Sequence, residues 1–412
     1  MTIEITIQNK PIKGNVLIAK YDSGNPPQIL NGAVFAVYRD VNGDKKFTGG
    51  TDELLGNMTE SSAGIHEYKD LLYGDYLTRE IKAPEGYTID RNYYAFSIKK
   101  DGETVKVGNN ADGNFYNKDI KGNIEGVKVG ESDEPLSGAV IGLFADGESE
   151  FTAENALAAV TTEKDGKFIF KDIVYGKYIV AEIQSPTGYI LTEETFPVSI
   201  SKNNEVITVK ISNEKIRGNI EGIKVGESDE TLAGAVIGLF ADGESDLTNR
   251  NALGTVTTDE NGKFVFENVE YGKYIIAEIQ PPEGYILTNQ IYPVEISQNT
   301  QISITIVNVK IKGIVEIEKY DSLTDEKLSG AEFTVFTDTN GNGKFDEGEQ
   351  YGVLEEVETG LYRLENIPYG NYYLKETKSP DGYYIDDNYY NFKIENNGEV
   401  VKITNNDSSD KF

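Results

Sequence analysis

The chain has 412 residues, with 39 Lys and Arg against 69 Asp and Glu, a single His and no Cys. A formal charge of −30 excludes nucleic acid and anionic membrane surfaces as partners, because both need clustered cations. The missing cysteines exclude disulfides, thiolate metal sites and cysteine nucleophiles, and no apolar run approaches the length of a membrane span. The length suits three or four cores, and 42 Gly with 26 Tyr and no Trp favours short strands and many turns.

In chain order, ITIQNKPIKG (5–14) aligns with ITIVNVKIKG (304–313), which sets Asn9 over Asn308. Residues 1–13 are therefore expected to be the last strand of a preceding domain. A unit then follows that recurs four times, over 14–120, 121–216, 217–311 and 312–412. Each opens with a strand ending in lysine: VLIAK to Lys20, IEGVK to Lys128, IEGIK to Lys224 and VEIEK to Lys319. A small-residue step leads into a second strand, as in LSGAVIGLF and LAGAVIGLF. TAENALAA near 152 and TNRNALG near 248 read as helical turns with a capping Thr.

The most rigid recurrence is YGDYLTREIKAPEGY from 73, YGKYIVAEIQSPTGY from 175, YGKYIIAEIQPPEGY from 271 and YGNYYLKETKSPDGY from 369. Glu stands eighth in each. An edge-like strand, an Asn-rich turn and a last strand ending in Asn117, Asn213, Asn308 or Asn405 close the unit. About seven short strands in roughly 95 residues predict an all-β immunoglobulin-like sandwich. The units meet at Ile-Lys/Arg-Gly steps without flexible linkers, so a stiff monomeric rod is expected.

Side chains alternate along a strand, so in the fourth unit Val315, Ile317 and Lys319 share one face. Tyr372, Leu374 and Glu376 share another, as do Val401, Ile403 and Asn405. Lys20, Glu80 and Asn117 repeat this, as do Lys128, Glu182, Asn213 and Lys224, Glu278, Asn308. A buried Lys-Glu ion pair with an Asn beside it is one account, and side chains reaching out to the rim is another. Four sets in matching phase favour a third. Burial makes Lys a neutral nucleophile and Glu a neutral acid. The glutamate polarises the Asn carbonyl and passes the amine proton to departing ammonia, with folding supplying the proximity. The product is an intramolecular isopeptide bond.

The Y-x-x-x-E-x-x-x-P-x-G-Y motif, the early strand ending in Lys and the terminal strand ending in Asn resemble the CnaB-like B-type repeats of collagen adhesins and SpaA-like pilins from Gram-positive bacteria. The resemblance implies a reverse immunoglobulin sandwich with Lys-Asn cross-links promoted by Glu80, Glu182, Glu278 and Glu376. It also implies a stalk on the cell surface, cell-wall anchored in the full-length protein, without turnover activity. A host matrix protein or glycan is the partner if the domains themselves adhere. Neither an LPxTG sorting signal nor a YPKN-like pilin motif is found.

DTNGNGKFDEGE (338–349) matches a twelve-residue calcium loop, with Asp338, Asn340, Asn342, the Lys344 carbonyl, Asp346 and Glu349 as ligands. An Asx-rich hairpin loop explains it equally. The first unit carries a degraded version at Asp40, Asn42 and Asp44. His66, beside Glu67 and Tyr68, reads as a surface or strand histidine. Tyr93, Tyr94, Tyr389 and Tyr390 read either as a ligand patch or as edge-strand packing.

Overall fold

The computed structural model describes residues 4–337, 339 and 348–404. The chain divides into two compact units, Met1–Lys215 and Ile216–Phe412, each holding two β-sandwich domains. The second domain serves as the pattern. Its first strand, Lys121–Val129, lies between Lys167–Val174 and Glu205–Ser212 in a three-stranded sheet. Facing it is a four-stranded sheet ordered Ala158–Thr161, Val140–Ala145, Gly176–Gln184 and Thr195–Ile200. The third domain repeats both sheets from Arg217–Val225 onward. The first and fourth domains add a strand, Thr59–Ser62 and Glu355–Glu358, at the edge of the first sheet.

Alternation builds these cores. Ile124, Ile141, Val180, Ile200 and Ile211 point inward and are fully buried in the second domain, with Phe168 and Phe170 filling the space between sheets. Gly126 and Gly222 sit where a Cβ would lie 2.1 Å from the rings of Phe168 and Phe264. A glycine there lets the ring close over the first strand. The first and fourth domains use Ile18 and Ile317 at this register, opposite His66 and Tyr362. The expected helical turns near 152 and 248 are plain turns, and no helix occurs among the described residues. Pairing of Leu157 and Leu253 N–H with the carbonyls of Leu143 and Leu239 draws those segments toward the sheet instead.

Within each unit the two domains share one kind of joint. In the first, Ile120 N–H donates to the Gly86 carbonyl and Tyr175 N–H to the Ile120 carbonyl. The Tyr175 hydroxyl reaches Glu85 at 2.8 Å, and its ring packs where a Cβ of Gly86 would stand, at φ +84. In the second unit Ile311, Gly284, Tyr369 and Glu283 repeat the pattern, with a 2.7 Å hydroxyl contact. Tyr369→Phe removes one charge-assisted bond, so the Ile311 amide is expected to exchange roughly fivefold faster, for a loss of about 1 kcal/mol. Unchanged exchange would assign the joint to its backbone and ring contacts alone.

Candidate cross-link site

The first strand of each sandwich runs parallel to the last, and this pairing builds the site. Lys128 lies opposite Ile211 and Lys224 opposite Ile306, so the asparagine two residues on faces the lysine across the end of the sheet. The glutamate comes from the opposite sheet, where Glu182 pairs with Ile141 and Glu278 with Ile237. Lys128 and Lys224 are fully enclosed, and Glu182, Asn213, Glu278 and Asn308 are buried.

In the second domain Lys128 Nζ touches Asn213 Oδ1 and lies 3.6 Å from Glu182 Oε1. Asn213 Nδ2 donates to both glutamate oxygens, at 3.0 and 2.8 Å. The third domain matches: Lys224 Nζ touches Asn308 Oδ1, Glu278 Oε1 is 3.5 Å away, and Asn308 Nδ2 donates at 2.9 Å to each carboxyl oxygen. Here the glutamate meets the amide nitrogen, whereas the sequence reading had it polarise the carbonyl. An ionised carboxylate only accepts, so it faces the NH₂ group. A protonated one donates to the carbonyl once the amide turns over.

The first domain is looser. Lys20 Nζ stands 4.0 Å from Glu80 Oε1 and donates to the carbonyls of Tyr21 and Phe115, at 3.3 and 3.4 Å. Asn117 Nδ2 donates to Glu80 at 2.8 and 3.0 Å, but its buried Oδ1 has no hydrogen-bond partner. The cause is the short strand Phe115–Asn117, separated by a loop from its predecessor Thr104–Lys106. In the fourth domain Lys319 Nζ lies 3.1 Å from Glu376. Asn405 lies outside the described residues.

Burial pushes the charges toward neutrality. It brings the Lys20 ammonium down to about 8 against the pull of Glu80, Asp90 and Asp22. Lys128 and Lys224 are lowered by the same burial, opposed by Glu182 and Glu278. Glu80 and Glu182 are raised by burial, opposed by hydrogen bonds to their carboxyl groups and by the lysine charge. Both shifts favour the neutral amine and neutral acid that acyl transfer requires.

One feature was missed in the sequence. The backbone N–H ten residues past each glutamate donates to its Oε2: Asp90 at 2.8 Å, Thr192 at 3.1 Å, Thr288 at 3.0 Å and Asp386 at 2.8 Å. The constant spacing was the available signal. Of the calcium-loop residues, Asp338, Asn340, Asn342, Lys344 and Asp346 lie outside the described residues. Glu349 is buried and accepts the Thr339 N–H and hydroxyl at 3.0 and 2.7 Å. In the first domain Asp40 accepts the N–H groups of Gly43 and Lys45, each at 2.8 Å, as an Asx-type loop does.

Four segments, 14–111, 122–215, 218–310 and 313–408, match the SpaA prealbumin-like fold domain. The chain belongs to that family. The SpaA domains align over 270 residues, at 29% identity, with serine-aspartate repeat-containing protein F of Staphylococcus epidermidis, covering 57% of this chain and 16% of that protein. Protein D of the same kind from Staphylococcus aureus strain Newman is 25% identical over 391 residues, or 82% of this chain and 28% of that protein. The chain thus spans less than a third of these curated relatives. Among solved structures, the Bacillus anthracis TIE protein shares the fold, with a TM-score of 0.62 and 21% identity over 97% of this chain and 75% of that one.

Proposed function

We propose that this chain is a structural stalk segment of a Gram-positive cell-surface adhesin or pilin-like protein, extracellular, whose SpaA domains staple themselves with Lys-Asn isopeptide bonds. The observation that carries the reading is the repeated convergence of a buried lysine, glutamate and asparagine at the junction of the first and last strands.

The lysine Nζ lone pair attacks the asparagine Cγ, and the glutamate carries a proton to Nδ2, which leaves as ammonia. Each domain reacts once, so the chemistry is maturation rather than turnover. Because the linked strands are the terminal ones, a pull on the domain passes through the cross-link, and resistance to forced unfolding rises. In a cysteine-free extracellular chain the bond takes the place of a disulfide.

Intact mass under denaturing conditions tests this. Each bond lowers the mass by one ammonia, about 17 Da. Three such losses are expected from the first three domains, mapped by peptide sequencing to Lys20–Asn117, Lys128–Asn213 and Lys224–Asn308. A fourth would mark Lys319 and Asn405. A mass equal to the sequence value overturns the reading and leaves buried ion pairs.

A further inference from the structure

The residue ten positions past the glutamate differs between domains in a way the cross-link chemistry should feel. Its backbone N–H makes the same bond in all four, donating to Oε2. This bond fixes Oε2 on the turn, so the carboxyl group is held in one orientation towards the lysine. In the second and third domains Oε1 lies 3.6 and 3.5 Å from the lysine.

The side chain at this position is threonine in those two domains. The Thr192 and Thr288 hydroxyls accept the N–H groups of Glu194 and Gln290, each at 3.2 Å, and bring no charge. In the first and fourth domains it is aspartate. Asp90 accepts Tyr94 OH at 2.6 Å, Asn92 N–H at 2.9 Å, Asn92 Nδ2 at 2.8 Å and Asn109 Nδ2 at 3.1 Å. Asp386 accepts Tyr390 OH at 2.6 Å and Asn388 N–H at 2.9 Å. Burial pushes the Asp90 carboxyl up, but the hydrogen bonds from Tyr94, Asn92 and Asn109 outweigh it and hold it below the usual carboxylate range.

Resting on the cross-link reading, we propose that Asp90 is a positioning residue that places a fixed negative charge beside the reacting Lys20–Glu80 pair. The first domain then matures in a more alkaline pH window than the second and third. The charged and titratable groups around Asp90 are Glu80, Lys20 and Tyr94, with Asp22 also acting on Lys20. The aspartate charge favours a proton on Glu80 and on Lys20 alike. The pair must hold one proton in total to react, so both limbs of its window move the same way.

The test uses the full chain, synthesised cell-free, trapped in urea and refolded into buffers from pH 5 to pH 10. Cross-links are then counted per domain by peptide mass spectrometry. Asp90→Asn keeps the turn and the tyrosine contact but removes the charge. The first-domain window is expected to move down by roughly one pH unit, with the second and third as internal controls. Thr192→Asp should move the second-domain window up. A change in yield at an unmoved window, or no change in either variant, overturns the proposal while leaving the cross-links standing. Absence of ammonia loss in every domain at every pH overturns the cross-link reading itself, and the proposal with it.

Discussion

Glu182→Gln is expected to delete one ammonia loss from the intact mass and to lower the melting temperature of the second domain by roughly 20–30 °C. Glutamine keeps the shape of the glutamate and still reaches Asn213, but it neither carries nor relays a proton. The domain therefore folds without closing the Lys128–Asn213 link, which spans 213 − 128 = 85 positions. By chain entropy, a link of that span is worth about 4–5 kcal/mol. A lysine left in a site with no exposure adds to the loss, because it must give up its proton or stay charged without a counter-ion. The mass separates this from simple ion-pair loss. A fall in melting temperature with an unchanged mass would mean that the glutamate stabilises the fold without doing chemistry. The third domain, with Glu278 intact, serves as the control in the same molecule, and calorimetry reads both transitions.

The site was legible because three periodicities had to agree. Lys128 follows Ile124 and Gly126 on the inward face, Asn213 follows Val209 and Ile211, and Glu182 follows Val180. A charged residue closing an apolar face is a local contradiction that only a partner resolves. Hydrogen bonds from turns could not be read this way. The N–H of Thr192 reaches Glu182 because the chain folds back after the Pro-Thr-Gly turn, and the constant ten-residue spacing is the one trace of that backbone donor in the sequence. The tyrosines divide for the same reason. Tyr94 and Tyr390 bond to the aspartates beside the glutamate and pack against the cores, which favours edge-strand packing over a ligand patch for these two. Tyr178, Tyr274, Tyr76 and Tyr372 each return a hydroxyl to the carbonyl four residues back. His66 is the strand histidine expected, but it is not on the surface. Its neighbours Glu67 and Tyr68 look like an exposed strand, but the register opposite Ile18 turns it inward.

That register sets up the second large effect. His66 occupies the position held by Phe168, Phe264 and Tyr362 in the other domains. It is 1% exposed, packs edge-on to Phe35 at 5.1 Å, and leaves Nε2 without a hydrogen-bond partner. Tyr362 meets Phe333 at the same 5.1 Å, so a ring is wanted there and a titrating one is not. Burial lowers the His66 pKa, with Lys20 acting the same way and Glu60 opposing. With the folded value below the unfolded one, stability is complete above about pH 6.5 and declines as pH falls, because the unfolded chain takes up the proton first. By pH 5 the loss reaches at most about 2 kcal/mol, or on the order of 10 °C in the melting temperature of the first domain. His66→Phe should remove that share of the acid sensitivity and leave the other domains unchanged. Parallel melting curves for the two proteins from pH 7.5 to pH 5 would place the sensitivity elsewhere, in the carboxylates around Lys20.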